Sequence, residues 1–131
     1  MKGEFGMQNM EKVGKIIAEL RRERGLRQSD LSQILSMSPS NISNYENANY
    51  WPDAGTICKM ANLFNVTTDY LLGRTDYRCP PEDLERYVTP DYTIHNIVNT
   101  LLSLDTNSVN AVVKYVEYLK ESQTKDKQPN S

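Results

Sequence analysis

The sequence has few of the residues that build metal sites and disulfide frameworks. Its 131 residues include only two cysteines, Cys58 and Cys79, and one histidine, His95. Two separated cysteines are too few for a disulfide framework, and with a single histidine they argue against a zinc site. We therefore expect a reduced, cytoplasmic protein that holds no metal and needs no cofactor.

Long apolar runs are also missing. No segment approaches the roughly 18 consecutive apolar residues that a membrane-spanning helix needs, and residues 1–10 lack the apolar stretch of a signal peptide. The hydrophobic content of 38% and the charged content of 24% are typical of a soluble globular protein. The sequence therefore predicts a chain with no membrane partner.

An excess of basic charge is the third absence. The chain carries 15 Lys and Arg against 17 Asp and Glu, for a formal net charge of -2. This balance excludes a histone-like protein that binds nucleic acid through charge alone, but it does not exclude one that reads sequence. Residues 1–76 carry nine basic and nine acidic side chains, so the acidic surplus lies in residues 77–131.

Apolar residues recur at helical spacing along most of the chain, and no segment has the alternation typical of a strand. The first predicted helix runs from Glu11 to the stop at Gly25, with an apolar face formed by Val13, Ile16, Ile17 and Leu20. Four more helices follow before residue 75, and two further helices lie within residues 91–121. The sequence therefore predicts an all-α fold.

Changes in composition divide the chain. We predict a flexible lead over residues 1–10, a helical domain over 11–75, a linker over 76–90 and a disordered polar tail over 122–131. Pro80-Pro81 marks the linker, because proline cannot lie inside a helix. Thr89-Pro90-Asp91, a cap residue followed by proline, is predicted to start the sixth helix.

The two helices predicted in residues 91–121 each carry an apolar stripe. The two stripes comprise Ile94, Ile97, Val98 and Leu101 on the first helix, and Val109, Val112, Val113, Val116 and Leu119 on the second. Helices this short cannot bury both stripes by pairing only with each other. We expect them to dock on the N-terminal domain or on another chain, and we favour a homodimer.

Two short helices within residues 11–75 carry the functional signal. Residues 28–35 and 38–46 are joined by only about three residues, which makes the helices cross steeply as in a helix-turn-helix. The exposed side of the second helix carries short uncharged polar residues, namely Ser40, Asn41, Ser43 and Asn44. Such residues are poor helix formers, but their hydroxyls and amides suit hydrogen bonding to base edges in the major groove of DNA.

Spaced motifs in residues 11–74 resemble the Cro/CI-type (XRE) helix-turn-helix family of phage and bacterial repressors. The motifs are Leu26-x-Gln28-x-x-Leu31, Ser38-x-x-x-Ile42-Ser43-x-Tyr45-Glu46-Asn47, Pro52 and Asp69-Tyr70-Leu71-Leu72-Gly73. The resemblance implies a five-helix DNA-binding domain, which here precedes a two-helix extension. It also implies a homodimer on double-stranded DNA with a palindromic operator, because a dimer reads two half-sites about one helical turn apart.

The resemblance assigns roles to individual residues. Gln28 corresponds to a contact with the DNA backbone that supports the recognition helix, and Ser40 and Asn44 are the leading base readers. Arg21 and Glu46 correspond to a pair that bridges the first and third helices, so we assign Arg21 to structure rather than to DNA. The full predicted DNA-binding set is Arg27, Gln28, Ser38, Pro39, Ser40, Asn41, Ser43, Asn44, Asn47 and Asn49.

Three positions depart from the family pattern. Ser36 stands where the turn usually has glycine, Arg27 where the second helix usually has a capping threonine, and Ala48 where a loop glycine is common. A non-glycine residue in the left-handed backbone region costs roughly 1 kcal/mol, and a lost helix cap costs about the same. We therefore predict strain in the turn, with the motif intact.

These features favour a dimeric transcriptional repressor of a prophage or mobile-element operon. The alternative is an antitoxin, or a regulator controlled by a small protein antagonist through the C-terminal helices. We do not expect an enzyme. The residues after Gly73 are too few for the self-cleaving domain that some repressors of this family carry, and His95 has no matching serine and aspartate.

Overall fold

The computed structural model describes residues 6–126, which contain eight helices and one two-stranded sheet. The predicted all-α class, with a five-helix domain followed by C-terminal helices, is confirmed, and the small sheet is an addition to it. The chain forms two compact units that divide between Asp83 and Leu84. The elements are α1 (Met7–Glu23), α2 (Gln28–Ile34), α3 (Pro39–Glu46), α4 (Ala54–Phe64), α5 (Thr68–Leu71), α6 (Pro81–Glu85), β1 (Tyr87–Thr89), β2 (Tyr92–Thr93), α7 (Ile94–Ser103) and α8 (Thr106–Asp126).

The core of the first unit is built from one apolar face of each helix from α1 to α5. Its largest fully enclosed side chains are Val13, Ile17, Leu31, Ile42, Met60 and Leu71. Helical spacing of the apolar residues places them on one side of each helix, where they meet in a single cluster. Burial of each such side chain contributes roughly 1.5–3 kcal/mol, so this shared core fixes α3 against α1 and α2.

Side-chain caps and left-handed glycines define helix ends in the first unit. At the start of α4, Asp53 Oδ1 accepts a hydrogen bond from Thr56 N at 2.7 Å. At the start of α5, Thr67 Oγ1 accepts one from Tyr70 N at 3.0 Å. Gly25, just beyond α1, has a φ of 67°, a conformation that glycine adopts without a Cβ penalty. These local signals set the end of α1 and the starts of α4 and α5.

The segment predicted as a linker, residues 76–90, contains regular structure. Pro81 is the first residue of α6, which a helix tolerates because the N–H of that position has no partner inside the helix. β1 then pairs with β2 in antiparallel fashion, with Tyr87 opposite Thr93. Tyrosine, valine and threonine favour extended backbone, and the expectation of no strand is therefore wrong.

The start of α7 also differs from its prediction. Pro90 and Asp91 lie in the turn between β1 and β2 rather than at a helix start. The cap is Thr93, whose Oγ1 accepts a hydrogen bond from Asn96 N at 3.1 Å, while Asn96 Oδ1 accepts one from Thr93 N at 2.8 Å. This reciprocal pairing is a capping box with asparagine in place of the usual glutamate or glutamine.

Both ends of the described chain are more helical than predicted. α1 begins at Met7, so residues 7–10 are not a flexible lead, and Gly6 O accepts a hydrogen bond from Met10 N at 3.2 Å. α8 continues to Asp126, so residues 122–126 are helical rather than disordered, since the Glu, Gln and Lys around them are good helix formers. The predictions for residues 1–5 and 127–131 lie outside the described residues.

Candidate nucleic-acid interface

α2 and α3 form a helix-turn-helix. Met37 N in the turn donates a hydrogen bond to Ser32 O at 2.9 Å, and α3 buries Ile42 and Tyr45 in the core. The predicted DNA-binding residues are all at least partly exposed. They lie at the start of α2, along α3 and in the loop after α3, as Arg27, Gln28, Ser38, Pro39, Ser40, Asn41, Ser43, Asn44, Asn47 and Asn49.

Two of the departures from the family pattern flank α3. Ser36 has a φ of 56° and Ala48 a φ of 60°, so both occupy the left-handed region without the freedom of glycine. Each residue therefore carries the roughly 1 kcal/mol penalty expected for an L side chain there. The core holds the helices on both sides of each turn, α2 and α3 around Ser36 and α3 and α4 around Ala48, and so keeps this geometry.

A nearly buried ion pair connects the end of α3 to α1. Arg21 of α1 reaches Glu46 at the end of α3, with Nη2 2.8 Å from Oε1 and Nε 3.1 Å from Oε2. Arg21 Nη1 also donates to Leu26 O at 2.8 Å, and Gln28 Nε2 donates to Glu46 Oε2 at 3.2 Å. One carboxylate thus joins α1, the start of α2 and the recognition helix α3.

Arg27 lies at the start of α2 with its charge partly balanced. Arg27 Nε lies 3.1 Å from Asp30 Oδ2, and the Arg27 side chain is 81% exposed. The hydrogen bond from Arg27 lowers the pKa of Asp30, and the same contact raises the pKa of Arg27. Because exposed ion pairs are weak, Asp30 can release this guanidinium to an anionic ligand at little cost.

The first turn of α3 and its last turn each hold a pair of polar side chains. Ser38 Oγ lies 2.9 Å from Ser40 Oγ, so the Ser38 hydroxyl bonds to a side chain and makes no side-chain cap to the α3 backbone. Asn47 Nδ2 donates to Ser43 Oγ at 3.2 Å. Both pairs are exposed and keep further donors and acceptors for a ligand.

Tyr50, which is not among the predicted site residues, connects the side-chain amides of Asn41 and Asn44. Tyr50 Oη donates to Asn41 Oδ1 at 2.8 Å and accepts from Asn44 Nδ2 at 3.0 Å. Asn49 Nδ2 donates to Asn44 Oδ1 at 2.8 Å. The available signal is a phenol close in sequence to four asparagines, but the sequence alone does not show which of them it reaches.

The apolar residues predicted for dimerisation lie on α7 and α8, and both helices lack buried residues. Ile97 is 40% exposed, Val113 48% and Val116 56%. The remaining members of that set are Ile94, Val98, Leu101, Val109, Val112 and Leu119, each at least partly exposed. Leu102, which the sequence interpretation left out, is more exposed than any of them, at 80%.

Other kinds of site find no support in the part of the chain that the structure describes. Over residues 6–126, no three His, Cys, Asp or Glu side chains come together in a way that could hold a metal ion. Within the same residues, no helix combines the length and the apolar character needed to cross a membrane.

Comparison with known proteins identifies the family. A sequence model of a helix-turn-helix family matches residues 17–71, which run from α1 to the end of α5. The ImmF control region 10 kDa protein of Bacillus phage phi105 is 33% identical over 61 residues, which cover 47% of this chain and 68% of that protein. The chain belongs to the XRE-type helix-turn-helix family. The HTH-type transcriptional regulator ImmR of Bacillus subtilis (strain 168) is 41% identical over 64 residues, 49% of this chain and 50% of ImmR.

Members of this family are DNA-binding transcriptional regulators, which are not a class of enzymes. The match to ImmR spans half the length of that protein. Neither α7 nor α8 lies within the residues 17–71 that the family model matches. The likeness therefore covers the helix-turn-helix domain, and any role of the C-terminal helices has to be argued from this chain itself.

Proposed function

We propose that the protein is a cytoplasmic, dimeric repressor that binds a palindromic operator of a prophage or mobile-element operon. The observation that carries this proposal is the polar face of α3, which presents hydroxyls and amides opposite the buried Ile42 and Tyr45. Residues of this length reach base edges without long flexible stems. The phage control protein among the relatives supports the mobile-element setting.

Base reading is assigned to α3 and phosphate binding to its surroundings. Ser40 and Asn44 lie about one turn apart on α3, and asparagine can pair with adenine through two hydrogen bonds that are worth roughly 1–3 kcal/mol of discrimination. Arg27, Gln28 and the loop amide of Asn47 lie around this face and contact the backbone. Such contacts set the register of the protein on DNA without reading sequence.

The neutral charge of residues 1–76 makes a dimer necessary for useful affinity. With nine basic and nine acidic side chains in this segment, few phosphate contacts are available, and nonspecific affinity at physiological salt is modest. Two linked recognition helices double the sequence-specific contacts and read half-sites about 34 Å apart. The exposed apolar side chains of α7 and α8, such as Val116 and Leu102, supply the surface for this pairing.

Selection of bound DNA from a random pool, read by sequencing, tests the DNA-binding part of the proposal. The expected result is a palindromic motif that contains adenine at a position where Asn44→Ala abolishes the preference. Asn62→Ala is the matched control, because Asn62 is an exposed asparagine on α4 and belongs to none of the proposed contacts. If the wild-type protein enriches no motif, the proposed function is wrong.

Light scattering tests the dimer. We expect the wild-type protein to be a dimer and the double variant Val112→Glu, Val116→Glu to be a monomer, because two buried charges would oppose an apolar interface. Asn110→Glu, an exposed position on α8, is the control and should remain a dimer. A double variant that stays dimeric contradicts the role of these helices, and co-purification of a small toxic or antagonist protein would favour the antitoxin or antagonist-controlled alternative.

A further inference from the structure

Tyr50 occupies an unusual place beside the recognition helix. Its ring packs edge-on against Tyr45, with the centroids 5.5 Å apart and the planes at 87°. Tyr45 is itself buried in the core at 7% exposure, so the phenol of Tyr50 rests on a rigid support. Edge-to-face packing of this kind is favourable, and it fixes where the Tyr50 hydroxyl lies.

The hydroxyl of Tyr50 sets the direction of a chain of hydrogen bonds. It has one proton, which it donates to Asn41 Oδ1 at 2.8 Å, and it therefore accepts from Asn44 Nδ2 at 3.0 Å. Asn49 Nδ2 donates to the other end of the same amide, Asn44 Oδ1, at 2.8 Å. The Asn44 amide is thus held from both ends, and a flipped amide would place two donors or two acceptors together.

Each held amide keeps free hydrogen-bonding capacity. An asparagine amide has two N–H donors and two acceptor lone pairs, and the internal bonds of Asn44 use one of each. One N–H and one lone pair remain, and the N7 and N6 positions of adenine require one donor and one acceptor. The internal bonds therefore orient Asn44 for base pairing and leave that pairing available.

The same hydrogen bonds contribute little to folding. All three lie in solvent-exposed positions, where water replaces a lost partner and the net effect on stability is small. Their effect falls instead on binding, because a side chain already held in its bound orientation loses less freedom when it docks.

We propose that Tyr50 is a positioning residue for base reading, whose hydroxyl holds the amides of Asn41 and Asn44 in the orientation in which Asn44 pairs with adenine. This inference rests on the proposed function, in which α3 reads the operator. Tyr50 acts through Asn44 and needs no contact with DNA of its own.

The test compares Tyr50→Phe with the wild-type protein on the selected operator, on operators with the adenine replaced, and on random DNA. We expect operator affinity to fall about three- to tenfold for each half-site, the range for the cost of ordering one side chain on binding. Discrimination at the adenine falls, while affinity for random DNA and the melting temperature stay unchanged. The Asn44 side-chain amide signals in nitrogen-15 NMR spectra shift even without DNA. Tyr92→Phe is the control, since Tyr92 is a similarly exposed tyrosine in the other unit.

A double variant separates positioning from other roles. If Tyr50 acts through Asn44, then Asn44→Ala should cost less affinity in the Tyr50→Phe background than in the wild type. If Tyr50→Phe binds the operator as tightly as the wild type and discriminates equally well at the adenine, the inference is wrong and the proposed function is unaffected. A fall in melting temperature that accounts for the weaker binding would assign the hydroxyl to folding and overturn it too. If the wild-type protein enriches no motif, the proposed function is wrong, and this inference is then wrong as well.

Discussion

Arg21 and Glu46 meet in a two-point ion pair in which neither side chain is more than 11% exposed. The shortest contact, from Arg21 Nη2 to Glu46 Oε1, is 2.8 Å. The Glu46 carboxylate accepts from Gln28 Nε2 as well. Because charges taken out of water need partners, this carboxylate holds together the three chain segments that position the recognition helix.

Glu46→Ala is therefore expected to act on stability rather than on base preference. Removal of the carboxylate leaves the Arg21 guanidinium nearly buried with Leu26 O as its remaining partner, and breaking such a pair costs about 3 kcal/mol or more. Urea denaturation followed through Trp51 measures the loss, since this single tryptophan packs against the core. Glu19→Ala, an exposed glutamate on α1, should have little effect. Unchanged stability together with altered sequence preference would contradict the structural role of the pair.

Gly14 of α1 should not tolerate alanine. A Cβ at this position would lie 2.6 Å from the backbone oxygens of both Tyr45 and Glu46, which real atoms do not allow, so α3 would have to move away from α1. In most helices glycine to alanine stabilises by up to about 1 kcal/mol, but here the overpacking should destabilise by roughly 1–3 kcal/mol. Thermal unfolding of Gly14→Ala measures the loss of stability, and operator binding measures the effect of the displaced α3.

Gly55→Ala provides the control for that substitution. Gly55 lies in the first turn of α4, where a Cβ would meet only Asp53 Oδ1, at 3.5 Å. We expect Gly55→Ala to be neutral or stabilising. If both variants behave alike, the close approach of α1 and α3 at Gly14 does not limit the packing.

The elements that the sequence predicts well are those fixed by short-range signals. The apolar spacing around Ile17 and Leu31 locates α1 and α2, and the serine-proline pair at Ser38 locates the start of α3. The hairpin was missed because Thr89-Pro90-Asp91 reads as a helix start. The pairing of Tyr87 with Thr93 depends instead on a turn that brings two separate segments together.

The sequence predicts the candidate site as a set of residues, but it does not predict the hydrogen bonds that connect them. Asn41 and Asn44 stand out because polar amides are unfavourable within a helix. Tyr50 was missed because its hydroxyl reaches Asn41 nine residues away, through a turn in which Ala48 adopts a φ of 60°. Local propensity does not predict that turn, because alanine disfavours the left-handed backbone conformation that Ala48 adopts there.

Ala48→Gly should stabilise the protein. Ala48 has a φ of 60°, and glycine removes the Cβ penalty of roughly 1 kcal/mol, partly offset by the greater freedom of glycine in the unfolded chain. We expect a net gain of about 0.5 kcal/mol in the free energy of unfolding. Asn65→Gly is the comparison, since Asn65 has a φ of 55° but asparagine tolerates this region, and its gain should be smaller. A loss of stability in Ala48→Gly would contradict the presence of strain at this turn.

The cap of α4 predicts a dependence of stability on pH. The pKa of Asp53 is lowered from its ordinary value of 3.8, chiefly by the hydrogen bond from the Thr56 backbone and then by one from the Thr56 side chain. A carboxyl whose pKa is lower in the folded protein binds fewer protons there than in the unfolded chain. Its contribution to stability is therefore fully present above pH 3.8, and it is lost as the pH falls through the lower, folded value.

Asp53→Asn isolates this contribution, because asparagine has the same shape, also caps helices and cannot ionise. The difference in free energy of unfolding between the wild type and Asp53→Asn should be largest at neutral pH. It should shrink below pH 3.8, the ordinary value for this carboxyl, while the effects of other carboxylates cancel in the comparison. Urea denaturation of both proteins through Trp51 fluorescence, at several pH values from neutral to acidic, measures this difference. A difference that stays constant across that range would mean that the Asp53 charge has no part in the cap and that its shape alone holds the start of α4.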